Sequence, residues 1–279
     1  MVSQRAQEKA LITGASSGIG ESFARHLAAD GYQLILVARR LERLQAIAAD
    51  LQDGGSSPVE VIQADLSEVS DIQRVADRVA NLDRLDLLVN NAGFGMSGYF
   101  SKIELEKHLH MNRVHIEAAI SLTHAVLPGM IARRRGGIIN VSSVAAFLPW
   151  GNVAYNATKA YLVAFSEALN AESRRMNIRV QALCPGFTYS EFHNSPDLAG
   201  VRKSPLPKIF WLNSDFVVSE SLKSLAQGKV ICIPGIQYRL VVALGRSPIT
   251  ASLLRSIILG IRQRRPRSTQ TPNDQTDAI

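Results

Sequence analysis

The sequence predicts an α/β fold in which a parallel sheet of about seven strands is doubly wound, with helices on both faces. Short β-type runs alternate with longer segments of helical periodicity, an order typical of parallel sheets with crossover helices. Several strand runs are almost wholly apolar, such as LILVA at 34–38 and IINV at 138–141, as expected for strands buried on both faces. The first run also ends in a glycine-rich turn directly before a helix.

Each element follows from a local pattern along the chain. Strands are expected where apolar and β-branched residues run together between turn signals, at about 9–13, 33–38, 58–63, 86–89, 136–142, 178–183 and 229–233. The segments between them carry apolar residues at helical spacing, and one such helix is expected from about Ile103 to Arg133. We therefore expect a single main domain without internal repeats.

Composition sets the domain organisation. The chain has 279 residues, 46% of them hydrophobic, which is enough for one substantial core. We expect the main catalytic domain over residues 1–240, a basic amphipathic helical extension over 241–265 and a disordered polar tail over 266–279. Two cysteines, Cys184 and Cys232, argue against a disulfide framework. With neither a signal peptide nor a transmembrane helix evident, the expected location is the cytoplasm.

The net charge of +7 is unevenly distributed. Nine of the 31 basic residues lie between positions 221 and 273, where the sequence has no acidic residue. The remaining 22 basic residues face 24 acidic ones, so the rest of the chain is slightly negative. Because no aromatic-rich platform or DNA-binding motif accompanies the basic region, no nucleic-acid partner is predicted. No metal site is predicted either.

A glycine-rich turn closes the first expected strand, with the sequence TGASSGIG from Thr13 to Gly20. The glycines allow a tight turn and a close approach of a pyrophosphate to the backbone, while the following helix supplies NH groups and the positive end of its dipole. The turn therefore predicts a dinucleotide site. Its expected members are Gly14, Ser16, Ser17, Gly18, Ile19 and Gly20.

The end of the second strand indicates which dinucleotide is bound. NAD-binding chains place an acidic residue there for the ribose hydroxyls, but this chain has Arg39 and Arg40. Guanidinium groups pair with a 2′-phosphate through charge-assisted hydrogen bonds, so the sequence predicts NADP(H). The alternative for one of the two arginines is that it simply begins the next solvated helix.

Tyr155 and Lys159 are four residues apart in a segment that is expected to be helical, so their side chains share a face. A nearby ammonium favours the phenolate, so Lys159 is expected to bring the pKa of Tyr155 toward a range useful for proton transfer. The alternative for this pair alone is an ordinary surface contact between a tyrosine and a lysine.

Four motifs stand in a characteristic order: TGASSGIG, NNAG at Asn90–Gly93, the serine pair Ser142–Ser143, and Tyr155-x-x-x-Lys159. Together they resemble the short-chain dehydrogenase/reductase superfamily, over residues 8 to about 235. The resemblance implies a Rossmann-like fold and interconversion of a carbonyl and an alcohol by hydride transfer. It also implies a homodimer or homotetramer that associates through the helices of residues 103–133 and 155–175.

The resemblance assigns further residues to the site. Ser143 is expected to bind the substrate oxygen, with Ser142 left open as the alternative because it stands at the family's usual spacing from Tyr155. His115 occupies the position of the family's active-site Asn. Either His115 or Asn112 is expected to replace that Asn in a proton relay, and the alternative is that His115 simply packs in the helix core. The expected cofactor contacts beyond the glycine-rich turn and the arginines are Asp65, Leu66, Asn91, Ala92, Gly93, Tyr155, Lys159, Pro185, Gly186 and Thr188.

Two segments bear on the substrate. The long, proline-rich stretch 189–213 contains Phe210 and Trp211 and is interpreted as a substrate loop that favours a hydrophobic, lipid-like ketone or aldehyde. The segment 248–265 has apolar residues at helical spacing and only basic charges, so peripheral contact with an anionic membrane stays open beside packing on the domain. The rival function is a low-turnover, cofactor-binding regulatory or membrane-associated scaffold protein.

Overall fold

Seven parallel strands form one sheet at the centre of the protein. The computed structural model describes residues 8–55, 58–148, 151–191 and 207–246. The strands are β1 Lys9–Thr13, β2 Gln33–Ala38, β3 Val59–Gln63, β4 Leu87–Asn90, β5 Gly136–Val141, β6 Ile178–Leu183 and β7 Ile231–Cys232. Their spatial order is β3-β2-β1-β4-β5-β6-β7. The predicted doubly wound α/β fold is therefore confirmed, with β7 shorter than expected and paired with β6 over two residues.

Helices cover both faces of the sheet. Their bounds are α1 Gly18–Ala29, α2 Leu41–Asp53, α3 Val69–Ala80, α4 Leu105–Asn112, α5 Ala118–Arg133, α6 Val153–Ser173, α7 Ser214–Ala226 and α8 Ile236–Arg246. One core packs α1, α2, α7 and α8 against the sheet, and the other packs α3, α5 and α6. Adjacent β1 residues face opposite cores, Ile12 the first and Leu11 the second, as the two-residue period of a strand requires.

The strand order reverses beside β1, which pairs with both β2 and β4. In open α/β sheets, ligands bind outside the carboxyl ends of the strands at such a switch point. The carboxyl ends of β1, β4 and β5 carry Thr13, Asn90 and Val141, and each leads into one of the motifs identified in the sequence. This Rossmann-like topology brings those motifs to one edge of the sheet.

The helix expected over 103–133 contains an irregular turn. Between α4 and α5 lies a π-helical turn, Arg113–Glu117, so the axis is continuous but one turn is widened. Such turns frequently occur at functional sites. His115 lies in this turn and is buried.

One helix of the described residues, Leu105–Arg133, is long and apolar enough to cross a membrane by length and composition, with a hydropathy of 1.3 in its most apolar window. The core helix of a soluble protein passes the same criterion. Here Leu122, Val126 and Met130 are buried in the core beside α3.

The expected domain boundary at residue 240 falls inside α8. Tyr238 and Val242, on either side of this position, are both buried in the first core. The expected extension 241–265 is described only as far as Arg246, and the expected tail 266–279 lies outside the described residues.

Candidate active site

The glycine-rich turn between β1 and α1 is held in shape by glycine conformations and by close packing. Gly14 and Gly18 have φ angles of 65° and 59°, a region that side chains rarely adopt. A Cβ atom on Gly20 would lie 2.3 Å from the carbonyl oxygen of Gly14. The turn can therefore keep its backbone exposed to a ligand only while these positions remain glycine.

The segment after β4 is bonded to this turn. The side-chain Nδ2 of Asn91 donates to the carbonyl oxygens of Thr13 at 2.9 Å and Gly14 at 3.2 Å. The hydroxyl of Thr13 accepts hydrogen bonds from the backbone N–H groups of Asn91 at 2.9 Å and Ala92 at 3.0 Å. These four bonds fix the ends of β1 and β4 relative to each other, so the two motifs form one rigid floor.

Above this floor lies a cleft of about 460 Å³. Its walls carry residues from four of the predicted groups, namely the glycine-rich turn, the segment after β4, the Ser–Tyr–Lys set and the turn after β6. Among the expected site residues, those that line it are Gly14, Ser17, Gly18, Ile19, Asn91, Gly93, Ser143, Tyr155, Lys159, Pro185, Gly186 and Thr188.

Tyr155 stands in the first turn of α6. The side chain of Asn152, the residue before this helix, accepts a hydrogen bond from the Tyr155 backbone N–H at 3.0 Å and so caps the helix. Burial raises the pKa of Tyr155 to about 12, and a hydrogen bond with the side chain of Ser143 partly opposes that rise. The expectation that Lys159 brings this pKa toward neutrality is therefore wrong for the protein by itself, because desolvation of the phenol is the largest cause of the shift.

The two serines after β5 have different partners. The buried hydroxyl of Ser142 donates to the carbonyl oxygen of Lys159 at 2.6 Å, which ties β5 to α6. The hydroxyl of Ser143 accepts from the backbone N–H of Ala145 at 3.1 Å and donates to the carbonyl oxygen of Pro185 at 3.5 Å, and its side chain lowers the pKa of Tyr155. Of the two alternatives left open by the sequence, Ser143 is the serine that lies beside Tyr155.

Lys159 is 4% exposed and lies below the tyrosine ring. Its Nζ atom is 5.7 Å from the centroid of the Tyr155 ring and donates a hydrogen bond to the carbonyl oxygen of Val141 at 2.8 Å. Burial lowers the pKa of Lys159 to about 8, since the charged form loses hydration, while the Cys184 thiol contributes in the opposite direction. The hydrogen bond to Val141 therefore fixes the position of the ammonium group, and the lowered pKa makes it a stronger acid than an exposed lysine.

His115 connects the segment after β4 to α6. Its Nε2 accepts the backbone N–H of Phe94 at 3.0 Å, which assigns the ring proton to Nδ1. Nδ1 lies 2.9 Å from Oγ1 of Thr158, and that hydroxyl donates to the carbonyl oxygen of Tyr155 at 2.9 Å. Burial and the neighbouring charge of Lys159 hold the pKa of His115 well below its ordinary value.

Both ring nitrogens of His115 therefore have protein partners, so neither is left to hold a water between Lys159 and solvent. Asn112, the other candidate for that role, is the last residue of α4 and is exposed, whereas His115 is buried. The geometry supports a positioning role for His115, which holds Phe94 and the start of α6 at a fixed separation.

A buried polar chain, which sequence reasoning missed, crosses the sheet beneath the cleft. Asn90 Nδ2 donates to Asn140 Oδ1 at 2.8 Å, and Asn140 Nδ2 donates to Ser166 Oγ at 2.9 Å. Asn140 and Ser166 are fully buried. The available signal was a pair of asparagines at the last position of β4 and the second-last position of β5, in otherwise apolar runs. These hydrogen bonds join β4, β5 and α6, the three elements that lead into or carry the NNAG segment, the serines and Tyr155.

At the end of β2, the two predicted arginines behave differently. Arg40 donates to the hydroxyls of Ser16 at 3.0 Å and Ser17 at 2.9 Å, so it reaches back to the glycine-rich turn. The side chain of Arg39 is 71% exposed and lies 3.7 Å from a carboxylate oxygen of Asp65. Leu66, beside that carboxylate, is buried. A further contact, between Arg40 and Glu191, was not foreseen.

The turn after β6 packs tightly against α8. A Cβ on Gly186 would lie 2.0 Å from the ring of Tyr238, and the Tyr238 hydroxyl accepts the backbone N–H of Phe187 at 2.9 Å. Thr188 forms a β-bridge with Leu212. This bridge brings the described end of the expected substrate loop, residues 207–213, to the rim of the cleft. Residues 192–206 of that loop lie outside the described residues.

A family model described as short chain dehydrogenase matches residues 8–197. The chain belongs to this family. It is 33% identical over 226 residues to 17-beta-hydroxysteroid dehydrogenase type 3 from Mus musculus, an alignment that covers 80% of this chain and 70% of that protein. The human inactive hydroxysteroid dehydrogenase-like protein 1 is 36% identical over 179 residues, which are 63% of this chain and 54% of that protein.

Solved structures agree with this assignment. A short-chain dehydrogenase from Sphingobium yanoikuyae, in complex with NADPH, superposes with a TM-score of 0.77 at 30% identity. The superposition covers 95% of this chain and 99% of that one. The predicted superfamily is thus confirmed, and the chain is an oxidoreductase of a family that uses a nicotinamide cofactor.

Proposed function

We propose that this dehydrogenase reduces hydrophobic ketones or aldehydes with NADPH, or oxidises the corresponding alcohols with NADP⁺. One observation carries the proposal: Ser143 and Tyr155 both line the wall of the cleft that the glycine-rich turn also lines. Two hydroxyls so placed can both reach one carbonyl oxygen.

The residues around the cleft fit a dinucleotide phosphate. Gly14 and Gly18 leave the backbone of the turn free of side chains where the helix α1 begins, which suits a pyrophosphate. Arg39 and Arg40 at the end of β2 are cations where NAD-binding chains carry an acid. The similar structure in complex with NADPH supports the same choice. When bound, NADP(H) supplies or accepts the hydride.

The chain's own residues supply the proton and the orientation. The pKa of Tyr155, raised to about 12 by burial, keeps the phenol protonated at neutral pH, which is the form that donates to a carbonyl oxygen as it gains negative charge. The hydroxyl of Ser143 holds that oxygen in place. Lys159, with its pKa lowered to about 8, is still charged at neutral pH and stabilises the phenolate that is left.

The side chains facing the cleft support a hydrophobic substrate. Met96, Val144, Leu148 and Phe187 line its walls beyond the hydroxyl pair. One relative is named a hydroxysteroid dehydrogenase. Hydroxysteroids and their ketones are rigid, largely apolar molecules. We infer a bulky ketone whose carbonyl reaches Ser143 and Tyr155 while its apolar body contacts these side chains.

The test is a turnover assay over a panel of ketones with either NADPH or NADH. The panel contains a 17-ketosteroid, a long-chain 3-oxoacyl ester and a polar ketose. We expect turnover of the first two ketones with NADPH and weak turnover with NADH. In Arg39→Ala, the difference in turnover between NADPH and NADH should be smaller, and this difference is called the cofactor gap. Arg179→Ala removes an exposed cation at the amino end of β6, away from the cleft, and should leave the cofactor gap unchanged. A wild-type preference for NADH would refute the cofactor proposal.

The rival function, a low-turnover cofactor-binding protein, is favoured by relatives that are named inactive, the human protein among them. The presence of Ser143, Tyr155 and the buried Lys159 in one cleft argues for turnover. The same panel separates the two functions: tight NADPH binding without turnover of any ketone would favour the rival.

Association and membrane contact remain proposals. Exposed apolar side chains on α4, α5 and α6, such as Leu105, Leu109, Ile120 and Tyr161, support a dimer or tetramer through these helices. The segment 248–265, for which contact with an anionic membrane stays open beside packing on the domain, lies outside the described residues. Co-sedimentation with anionic vesicles at low salt, with and without residues 246–279, tests that contact. No sedimentation of the full chain would refute it.

A further inference from the structure

Three charged side chains meet beside the glycine-rich turn. The carboxylate of Glu191 accepts a hydrogen bond from Arg40 at 2.7 Å through one oxygen and from Arg43 at 2.6 Å through the other. Glu191 comes from the segment after β6, 151 positions from Arg40, which precedes α2, and 148 positions from Arg43 in the first turn of α2. The side chains are 42% to 52% exposed, so this cluster is open to solvent and to ligands.

The cluster lies where a 2′-phosphate would be recognised. Arg40 lies two positions after Ala38, the residue that ends β2, and also contacts the hydroxyls of Ser16 and Ser17. In this class of sheet, the pyrophosphate lies at the glycine-rich turn and the adenosine ribose lies toward the end of β2. The guanidinium of Arg40 therefore lies between the position of the pyrophosphate and the position of the ribose.

Carboxylates and phosphates have the same chemistry toward arginine, since both accept paired hydrogen bonds from the planar guanidinium. Both are anions, and they repel each other strongly at contact distance. The two arginines hold the Glu191 carboxylate firmly enough to lower its pKa, with the hydrogen bond from Arg40 as the largest cause. Arg40 and Arg43 cannot therefore hold Glu191 and a 2′-phosphate in the same geometry.

We propose that Glu191 competes with the 2′-phosphate of NADP(H) for Arg40 and Arg43, and that it thereby limits the enzyme's preference for NADP(H) over NAD(H). The proposal rests on the proposed NADP(H) dependence of the site. NAD(H), which lacks the phosphate, leaves the Glu191 contacts intact, whereas NADP(H) must displace the carboxylate. Glu191 and Arg43 thus join Arg39 and Arg40 as residues that determine cofactor specificity.

The test measures binding by titration calorimetry with two cofactor fragments, 2′,5′-ADP and 5′-ADP, which differ only in the 2′-phosphate. In Glu191→Gln we expect 2′,5′-ADP to bind about three- to tenfold more tightly than in the wild type, because exposed ion pairs are individually weak. The affinity for 5′-ADP should stay within about twofold. Adding Arg43→Met to Glu191→Gln should remove most of the gain.

Glu42→Gln is the matched control. It removes one negative charge next to Arg43 in the sequence, from an exposed residue at the start of α2, without touching the cluster. An equal gain for both fragments in Glu191→Gln, or the same gain in Glu42→Gln, would show a general charge effect and would overturn the proposal. Weaker 5′-ADP binding in Glu191→Gln would also overturn it, because Glu191 would then bind the ribose hydroxyls.

Failure of this inference is distinguishable from failure of the proposed cofactor. If wild type prefers 2′,5′-ADP and Glu191→Gln brings no gain, the competition is refuted and the NADP(H) proposal stands. If wild type shows no preference but Glu191→Gln creates one, the competition stands and the NADP(H) preference of the natural protein is refuted.

Discussion

Replacing His115 by leucine tests whether this residue is a positioning residue. The ring accepts a hydrogen bond from the Phe94 backbone N–H and donates one to Thr158, and it is 1% exposed. Leucine fills a similar volume but pairs with neither partner. The Phe94 N–H would be left without its acceptor, whereas the Thr158 hydroxyl would keep its bond to the Tyr155 carbonyl oxygen.

The magnitude follows from these partners. An unpaired buried donor costs about 1–3 kcal/mol, and the lost bond to Thr158 adds about 1 kcal/mol. We therefore expect His115→Leu to lower the free energy of unfolding by roughly 2–4 kcal/mol at pH 7.5. His115→Asn, which restores the family residue, offers an amide oxygen to Phe94 and should recover part of the loss.

The loss should depend on pH in a defined direction. The pKa of His115 in the folded protein is well below its ordinary value of 6.5, so the unfolded chain binds this proton more readily. The wild type therefore has the full contribution of neutral His115 above about pH 6.5 and loses it as the pH falls toward the folded pKa. His115→Leu has no such loss, so the stability gap should narrow by up to about 1.4 kcal/mol per pH unit below 6.5.

The assay is urea unfolding of the wild type, His115→Leu and His115→Asn at pH 7.5, 6.5 and 5.5, chosen as roughly one-unit steps around the ordinary histidine pKa. His124→Leu, which makes the same change at an exposed histidine of α5, is the control. A constant gap between the wild type and His115→Leu, or no gap at pH 7.5, would contradict the positioning role.

Three further outcomes are expected. Tyr155→Phe should lower turnover at least about 10²-fold while cofactor binding stays nearly intact, and unchanged turnover would contradict its role as the acid. In the pH profile of kcat/KM for NADPH, activity should fall on the alkaline side near pH 8, the pKa of Lys159, and well below the pKa of Tyr155 at about 12. If activity falls only at much higher pH, the charge of Lys159 has no role in the reaction. Gly20→Ala should abolish cofactor binding, since its Cβ would meet the Gly14 carbonyl oxygen at 2.3 Å, whereas Gly54→Ala, with 3.4 Å to its nearest neighbour, should have little effect on cofactor binding.

The strands of the fold could be predicted because each is a short apolar run between turn signals. Wholly apolar runs such as LILVA and IINV are typical of strands that are buried on both faces, and β2 and β5 are such strands. The length of β7 was overestimated because β6 ends at Leu183, which pairs with Cys232, so no partner strand continues beyond that residue. The π-helical turn at His115 could not be predicted from periodicity, since a single widened turn barely shifts the apolar pattern.

The site was predictable where it depends on adjacent residues and not where it depends on distant ones. The glycine-rich turn and Tyr155–Lys159 are local patterns, so the sequence alone places them. Glu191, which meets Arg43 across 148 positions, has no local signal. The pKa of Tyr155 was expected to fall because the sequence shows the lysine but not the burial, and burial is the larger cause.

The most direct test of the proposed function is isotope transfer from NADPH deuterated at C4 of the nicotinamide to a 17-ketosteroid. The proposal predicts a product alcohol with deuterium on the former carbonyl carbon, from one face of the nicotinamide only, and a solvent-derived proton on its oxygen. Product without deuterium at that carbon, or transfer from NADH but not from NADPH, would contradict an NADP(H)-dependent carbonyl reductase.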